Sequence, residues 1–127
     1  MARQLTDARQ GSGKCIFAAL HSREEGTCLG RYPKDGPQIN ENEISLLNKA
    51  FLDPTMLYSS GIPLRGKKFT YVKVEENNAL MGKTSTQACI VMKTDDVYII
   101  CIYPGSELSK DVFLNCRKIS EKIKNSS

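Results

Sequence analysis

Between Tyr58 and Tyr103 the chain breaks into short β-rich runs separated by tight polar turns, and this rhythm limits the fold more than any other feature. The runs are Tyr58–Val74, Ala79–Thr84, Ala88–Thr94 and Val97–Tyr103. Short turns between such runs join antiparallel neighbours, so the stretch reads as a meander. The last run, Val-Tyr-Ile-Ile-Cys-Ile-Tyr, is apolar without alternation. A strand of that kind has to be covered on both faces. A meander buried on both sides needs helices, and the chain supplies them towards its ends.

Cys15–His21 reads as a strand, Arg23–Gly26 as a turn and Thr27–Tyr32 as the return strand of a hairpin, followed by a loop over Pro33–Pro37. Asn40-Glu-Asn-Glu43 carries an N-cap and, three residues on, a carboxylate that can reach back to it, which marks a helix start. Ile44, Leu47 and Phe51 follow at spacings of 3 and 4, giving one buried face, and Asp53-Pro54 stops the helix. A second helix opens at Ser109, with Asp111 in its first turn and Lys118, Lys122 and Lys124 late, as the macrodipole favours. Val112, Cys116, Ile119 and Ile123 form its core stripe. Met1–Gly13 is polar and reads as weakly ordered or as a short N-terminal helix. With no internal repeat and no linker, the order hairpin, helix, strands, helix predicts a single α+β domain over residues 1–127.

Composition narrows the function classes. A chain of 127 residues, 40% hydrophobic and 25% charged, can build a real core and is not a disordered sequence. Its formal charge of +4 suits an acidic protein surface or anionic headgroups and is too small to argue for nucleic acid. No apolar run approaches the roughly 18 residues that a membrane span needs. Met1-Ala-Arg-Gln-Leu5 lacks the apolar core of a signal peptide, so a soluble, intracellular chain is expected. The five cysteines (15, 28, 89, 101 and 116) form no C-x-x-C pair and sit in or beside apolar runs, as small buried hydrophobes of a reducing compartment do.

Catalytic signatures are not apparent. His21 ends an apolar strand with no Ser or Cys motif beside it, which fits a packed residue better than a base. No His/Cys/Asp cluster has ligand spacing, so neither metal nor cofactor is expected. Gly11-Ser-Gly13-Lys14 and Gly82-Lys83-Thr84 resemble fragments of a phosphate loop, but Ala8 and Asn77 stand where the first glycine belongs, so both read as turns. Basic residues gather around the meander instead: Arg65, Lys67, Lys68, Lys73, Lys83 and Lys93. Singly they read as solvated strand edges; with Lys110 and Arg117 they make a face for an acidic partner. Phe113 and Leu114, off the helical stripe, either widen its buried face or form an apolar spot within that basic surround.

The order of elements resembles the profilin family. Ala18-Ala19-Leu20 resembles the family's Ala-Ala-Ile, and Gly61-Ile-Pro-Leu64-Arg-Gly66-Lys67-Lys68 its Gly-Leu-x-Leu-x-Gly-x-Lys. Gly82-Lys83 matches the end of an Arg-Gly-Lys turn, Lys93-Thr94 a Lys-Thr before an apolar strand, and Ile102-Tyr103 a strand end. The resemblance implies a central antiparallel sheet, with N- and C-terminal helices on one face and short helix and hairpin elements on the other. It implies a monomeric, cytoplasmic and cytoskeletal protein that binds the actin monomer and regulates polymerisation without catalysis. Carried over by position, Lys68, Lys73 and Lys83 form the actin face, joined by Phe113 and Arg117 from the last helix. The alternative is phosphoinositide or other anionic-lipid binding, through Arg65, Lys67, Lys68 and Lys83, with weak or no actin binding. A third reading is a scaffold for some other protein. Departures from the family pattern are Met81 for arginine, the last-helix residues Phe113, Leu114, Arg117 and Lys118, and Cys28 where the hairpin has tryptophan. The termini also lack the aromatic residues that grip polyproline, so weak or no polyproline binding is expected, any residual affinity depending on Tyr32.

Overall fold

The computed structural model describes residues 16–32, 38–75 and 78–105, together with Leu114, Arg117 and Lys118. A hairpin of β1 (Phe17–Ser22) and β2 (Cys28–Tyr32) leads to helix α1 (Glu41–Leu52), a 3-10 turn (Pro54–Met56) and the single-turn helix α2 (Leu57–Ser60). Then come β3 (Ile62–Leu64), β4 (Lys67–Glu75), β5 (Ala79–Lys83), β6 (Gln87–Lys93) and β7 (Val97–Pro104). They form one seven-stranded sheet, ordered β2-β1-β7-β6-β5-β4-β3, with every neighbour antiparallel. The meander is as the turn rhythm predicts, and β1 extends it by pairing with β7.

The unalternating run explains the layering. Tyr98, Ile100 and Ile102 of β7 pack on one side of the sheet with Phe17, Phe69 and Leu80, beneath Ile44, Leu47 and Ala50 of α1. Val97, Ile99, Cys101 and Tyr103 point to the other side, with Leu20, Met81, Ile90 and Met92. Both sides are buried, because period-2 side chains from one apolar strand reach both. The predicted N-terminal helix, Phe113 and the stripe Val112, Cys116, Ile119, Ile123 lie outside the described residues; Leu114, Arg117 and Lys118 are helical and exposed.

Glu43 ties the helix to the sheet. The Asn40 side chain accepts from the Glu43 N–H at 2.9 Å, and Glu43 Oε1 accepts from the Asn40 N–H at 3.1 Å, completing the expected capping box. The same carboxylate accepts from the Arg65 N–H (3.1 Å) and the Gly66 N–H (2.9 Å). Those two residues form the β3–β4 turn, and both have positive φ (57° and 81°). A two-residue hairpin of this twist needs that geometry, which glycine adopts freely and arginine does not. The buried carboxylate holds both turn N–H groups, so the cap and the turn are one unit.

A second joint closes the other end of α1. Phe51 stacks on Tyr98 (centroids 5.5 Å apart, planes at 12°), and the Tyr98 hydroxyl donates to Asn48 Oδ1. Asn48 Nδ2 donates to the Arg23 carbonyl at 3.1 Å, while the Arg23 guanidinium donates to the carbonyls of Thr94 (2.6 Å) and Asp95 (2.9 Å). Lys93 sits with Nζ 5.1 Å from the Phe51 ring centre, a cation–π contact that places it on the α1 side.

Two local expectations are corrected. Gly82-Lys83 is not a turn but the end of β5; the turn begins at Thr84, whose hydroxyl accepts from the N–H groups of Thr86 and Gln87. A Cβ at Gly82 would lie 2.9 Å from Ile62 Cδ1 and 3.0 Å from the Thr70 carbonyl, so close packing against β4 requires glycine there. Cys28 is exposed, whereas Cys89 and Cys101 are buried as expected. It lies on β2 at the border of the sheet order, where one flank is open among the described strands.

His21 is packed, not solvated, at 1% exposure. Its Nδ1–H donates to the Gly26 carbonyl at 3.0 Å, which leaves Nε2 as an acceptor, buried and without a hydrogen-bond partner among the described residues. Burial pulls its pKa below 6.5, outweighing the opposing pull of the Gly26 bond and the Glu43 charge. A lowered folded pKa means that the unfolded chain binds the proton more tightly. The neutral form's stability is therefore complete above pH 6.5 and is lost as pH falls below it, by at most about 1.4 kcal/mol per unit. Denaturant midpoints measured from pH 7.5 to 5 should fall in the native chain and fall less in His21→Gln. Parallel pH profiles would show that His21 is not the titrating group.

Candidate protein-binding face

Opposed residues of an antiparallel pair share a face, so the β4–β5 register decides which lysines meet. Thr70 lies opposite Lys83 and Lys73 opposite Met81, with a bulge between Tyr71 and Lys73. Met81 belongs to the core on the side away from α1. Lys73 and Lys83 therefore lie on that side, and so does Lys68, two residues before Thr70. All three are exposed. Without the bulge, strict alternation from Lys68 would turn Lys73 to the opposite face; the extra residue brings it back.

Arg65 and Lys67 do not join them. The Arg65 guanidinium lies 4.3 Å from the Phe17 ring centre, on the α1 side, where burial and the nearby Arg31 lower its pKa. Lys67 alternates with Lys68 and so leans to that side too. The residues proposed for headgroup binding, Arg65, Lys67, Lys68 and Lys83, are thus divided between two sides of the sheet. Phe113 lies outside the described residues, and so does the side chain of Tyr32; Arg117 is exposed on a helical segment.

The structure adds residues that sequence reasoning did not single out. A groove of about 290 Å³ runs between α2 and β4, lined by Tyr58, Ser59, Ser60, Lys68, Thr70 and Tyr71 among others. Tyr58 is 77% exposed and meets Tyr71 edge-on, with centroids 5.3 Å apart and planes at 79°. Burial, then the neighbouring Tyr58, push the Tyr71 phenol above its ordinary pKa. Val72, in the bulge, is 41% exposed. Exposed tyrosines are enriched in the cores of protein interfaces, and charged side chains such as these lysines belong to the polar rim. The available signal was that Tyr58 is out of phase with the core pattern in a Ser-rich segment, but only the fold brings it against Tyr71, 13 positions on.

A second cleft, about 540 Å³, lies between the β1–β2 loop and the start of α1, lined by His21, Thr27, Cys28, Gln38, Asn40 and Glu41 among others. Among the described residues no group of three or more His, Cys, Asp or Glu side chains is placed to hold a metal ion. No helix among them is long and apolar enough to cross a membrane.

A family model described as Profilin matches residues 3–127. The chain belongs to the profilin family. Profilin of Saccharomyces cerevisiae is 26% identical over 99 residues, spanning 78% of this chain and 76% of the yeast protein. The crystal structure of Schizosaccharomyces pombe profilin superposes with a TM-score of 0.83 at 21% identity, covering 99% of this chain and 98% of that one. LokiProfilin1, solved in complex with rabbit actin, gives a TM-score of 0.71 at 13% identity, covering 98% and 94%. These likenesses match the curled antiparallel α+β fold that the resemblance implied.

Proposed function

We propose that this profilin binds the actin monomer through the face formed by Lys68, Lys73 and Lys83 and by the Tyr58–Tyr71 groove beside them, and regulates polymerisation by doing so. The observation that carries the reading is the β4–β5 register, which sets the three lysines on one side; the groove reaches that side through Lys68 and Thr70, while Tyr71 packs towards the α1 side. A profilin-fold protein solved with actin supports it. The chain acts as a single, monomeric, non-enzymatic domain in the cytoplasm, at the cytoskeleton. A face of this kind buries roughly 1,000–2,000 Å² in total. Occupying one monomer surface blocks polymer contacts there and, by preferring one state of the partner, shifts its population. Lysines steer the encounter and the tyrosines supply desolvated contact. Phe113 and Arg117, which the family resemblance assigns to the same interaction, belong to this proposal.

Tyr58→Ala tests the groove. Truncating an aromatic anchor costs about 2 kcal/mol, near thirtyfold in Kd. Because Tyr58 is largely exposed, the melting temperature should stay nearly unchanged. Calorimetric titration of actin monomer with the variant reads both ends of the claim. An unchanged Kd would remove the groove from the interface.

A further inference from the structure

Along β4 and β5 the one acidic side chain is Glu75, and its Oε2 lies 3.1 Å from Lys73 Nζ. Two residues apart on one strand, both side chains stand on the lysine side of the sheet. The Glu75 backbone is held in place at the end of the strand. Glu75 pairs with Ala79 in the ladder, and its carbonyl accepts from the Asn78 N–H at 3.0 Å in the β4–β5 turn. The ion pair itself is exposed, with 55% and 39% of the two side chains accessible, so solvent screens it and the fold gains little from it. A carboxylate that contributes little to stability, carried by a strand end within the basic face, acts on whatever that face meets.

We propose that Glu75 is a specificity-setting brake on this face: it occupies the Lys73 ammonium in the free protein and opposes acidic partners. The inference rests on the reading of the lysine face as the actin-binding surface. An acidic group approaching Lys73 has to displace the Glu75 carboxylate or share the ammonium with it. Either way it meets a like charge within a few Å, which costs encounter rate and complementarity. With Glu75 in place the face discriminates, because a partner must present charge dense enough to win Lys73. Removing the carboxylate should strengthen binding and broaden it to less acidic partners.

The experiment measures association rates of full-length native chain, Glu75→Gln, Lys73→Met and the double variant with fluorescently labelled actin monomer, at about 0.05 M and 0.5 M salt. Glu75→Gln should bind roughly three- to tenfold faster at low salt, as removal of one opposing charge allows. The gain should shrink at high salt, where the screening length falls to about 4 Å. It should also shrink in the Lys73→Met background, because the brake works through Lys73. Thermal melting of Glu75→Gln should match that of the native chain. An unchanged or slower rate for Glu75→Gln, or an equal gain without Lys73, would overturn the proposal. If the native chain and all variants fail to bind actin, it is the reading of the face that fails, and the brake falls with it.

Discussion

Replacing Glu43 with alanine is expected to cost the fold about 3 kcal/mol and to lower the melting temperature by about 10 °C. The size follows from what the carboxylate holds. It accepts from three backbone N–H groups, those of Asn40, Arg65 and Gly66, while only 6% exposed. Removing a buried acceptor strands its donors, and that desolvation cost exceeds the net worth of the bonds themselves. Arg65 would also be left in a left-handed conformation (φ 57°) without the bond that favours it there. Glu43→Gln keeps the length and one acceptor oxygen but puts an amide donor where the other oxygen stood, so it should fall between the two. Glu41→Ala, at an exposed position in the same first turn, should change stability by no more than about 0.5 kcal/mol. Circular-dichroism melts of the three variants check the order. A Glu43→Ala melt close to the native one would show that the clamp between helix and turn is dispensable.

Glu43 also marks how far the sequence could be read. The capping box was legible, because Asn40 and Glu43 stand at the spacing that lets cap and carboxylate exchange hydrogen bonds. The reach of the same carboxylate to a turn 22 residues later was not, because no local pattern encodes which loop a helix end will meet. The sheet was legible for a similar reason. Turn spacing fixes which strands are neighbours, and the unalternating Val97–Tyr103 run fixes burial on both sides. Gly82 was misread as part of a turn, since a glycine needed for close packing in a strand looks in sequence like one needed for a turn. On the proposed face, the shared side of Lys68, Lys73 and Lys83 depends on a bulge that strict period-2 counting misses; charge placed them in a larger basic group, and family resemblance singled them out from it. Lys93 and Arg65 were grouped with them by charge alone. Each turned out to lie against an aromatic ring on the α1 side, a choice made by packing rather than by sequence. Tyr58 and Tyr71 escaped notice because their contact is tertiary.

Charge reversal of the lysine face is the second large effect expected. Lys68, Lys73 and Lys83 are exposed and none packs in the core, so a triple Lys→Glu variant should fold and melt like the native chain. It replaces three charges that attract an acidic surface with three that repel it, and like-charge juxtaposition at an interface acts on encounter rate and affinity together. The direct measurement is the Kd and association rate of native and triple-variant chains for actin monomer, at low and at high salt. The native chain should bind, the variant should bind more than tenfold more weakly, chiefly through slower association, and the gap should narrow as salt screens the charges. Equal affinity of a folded triple variant and the native chain at low salt would contradict this and place the actin-binding surface elsewhere on the molecule.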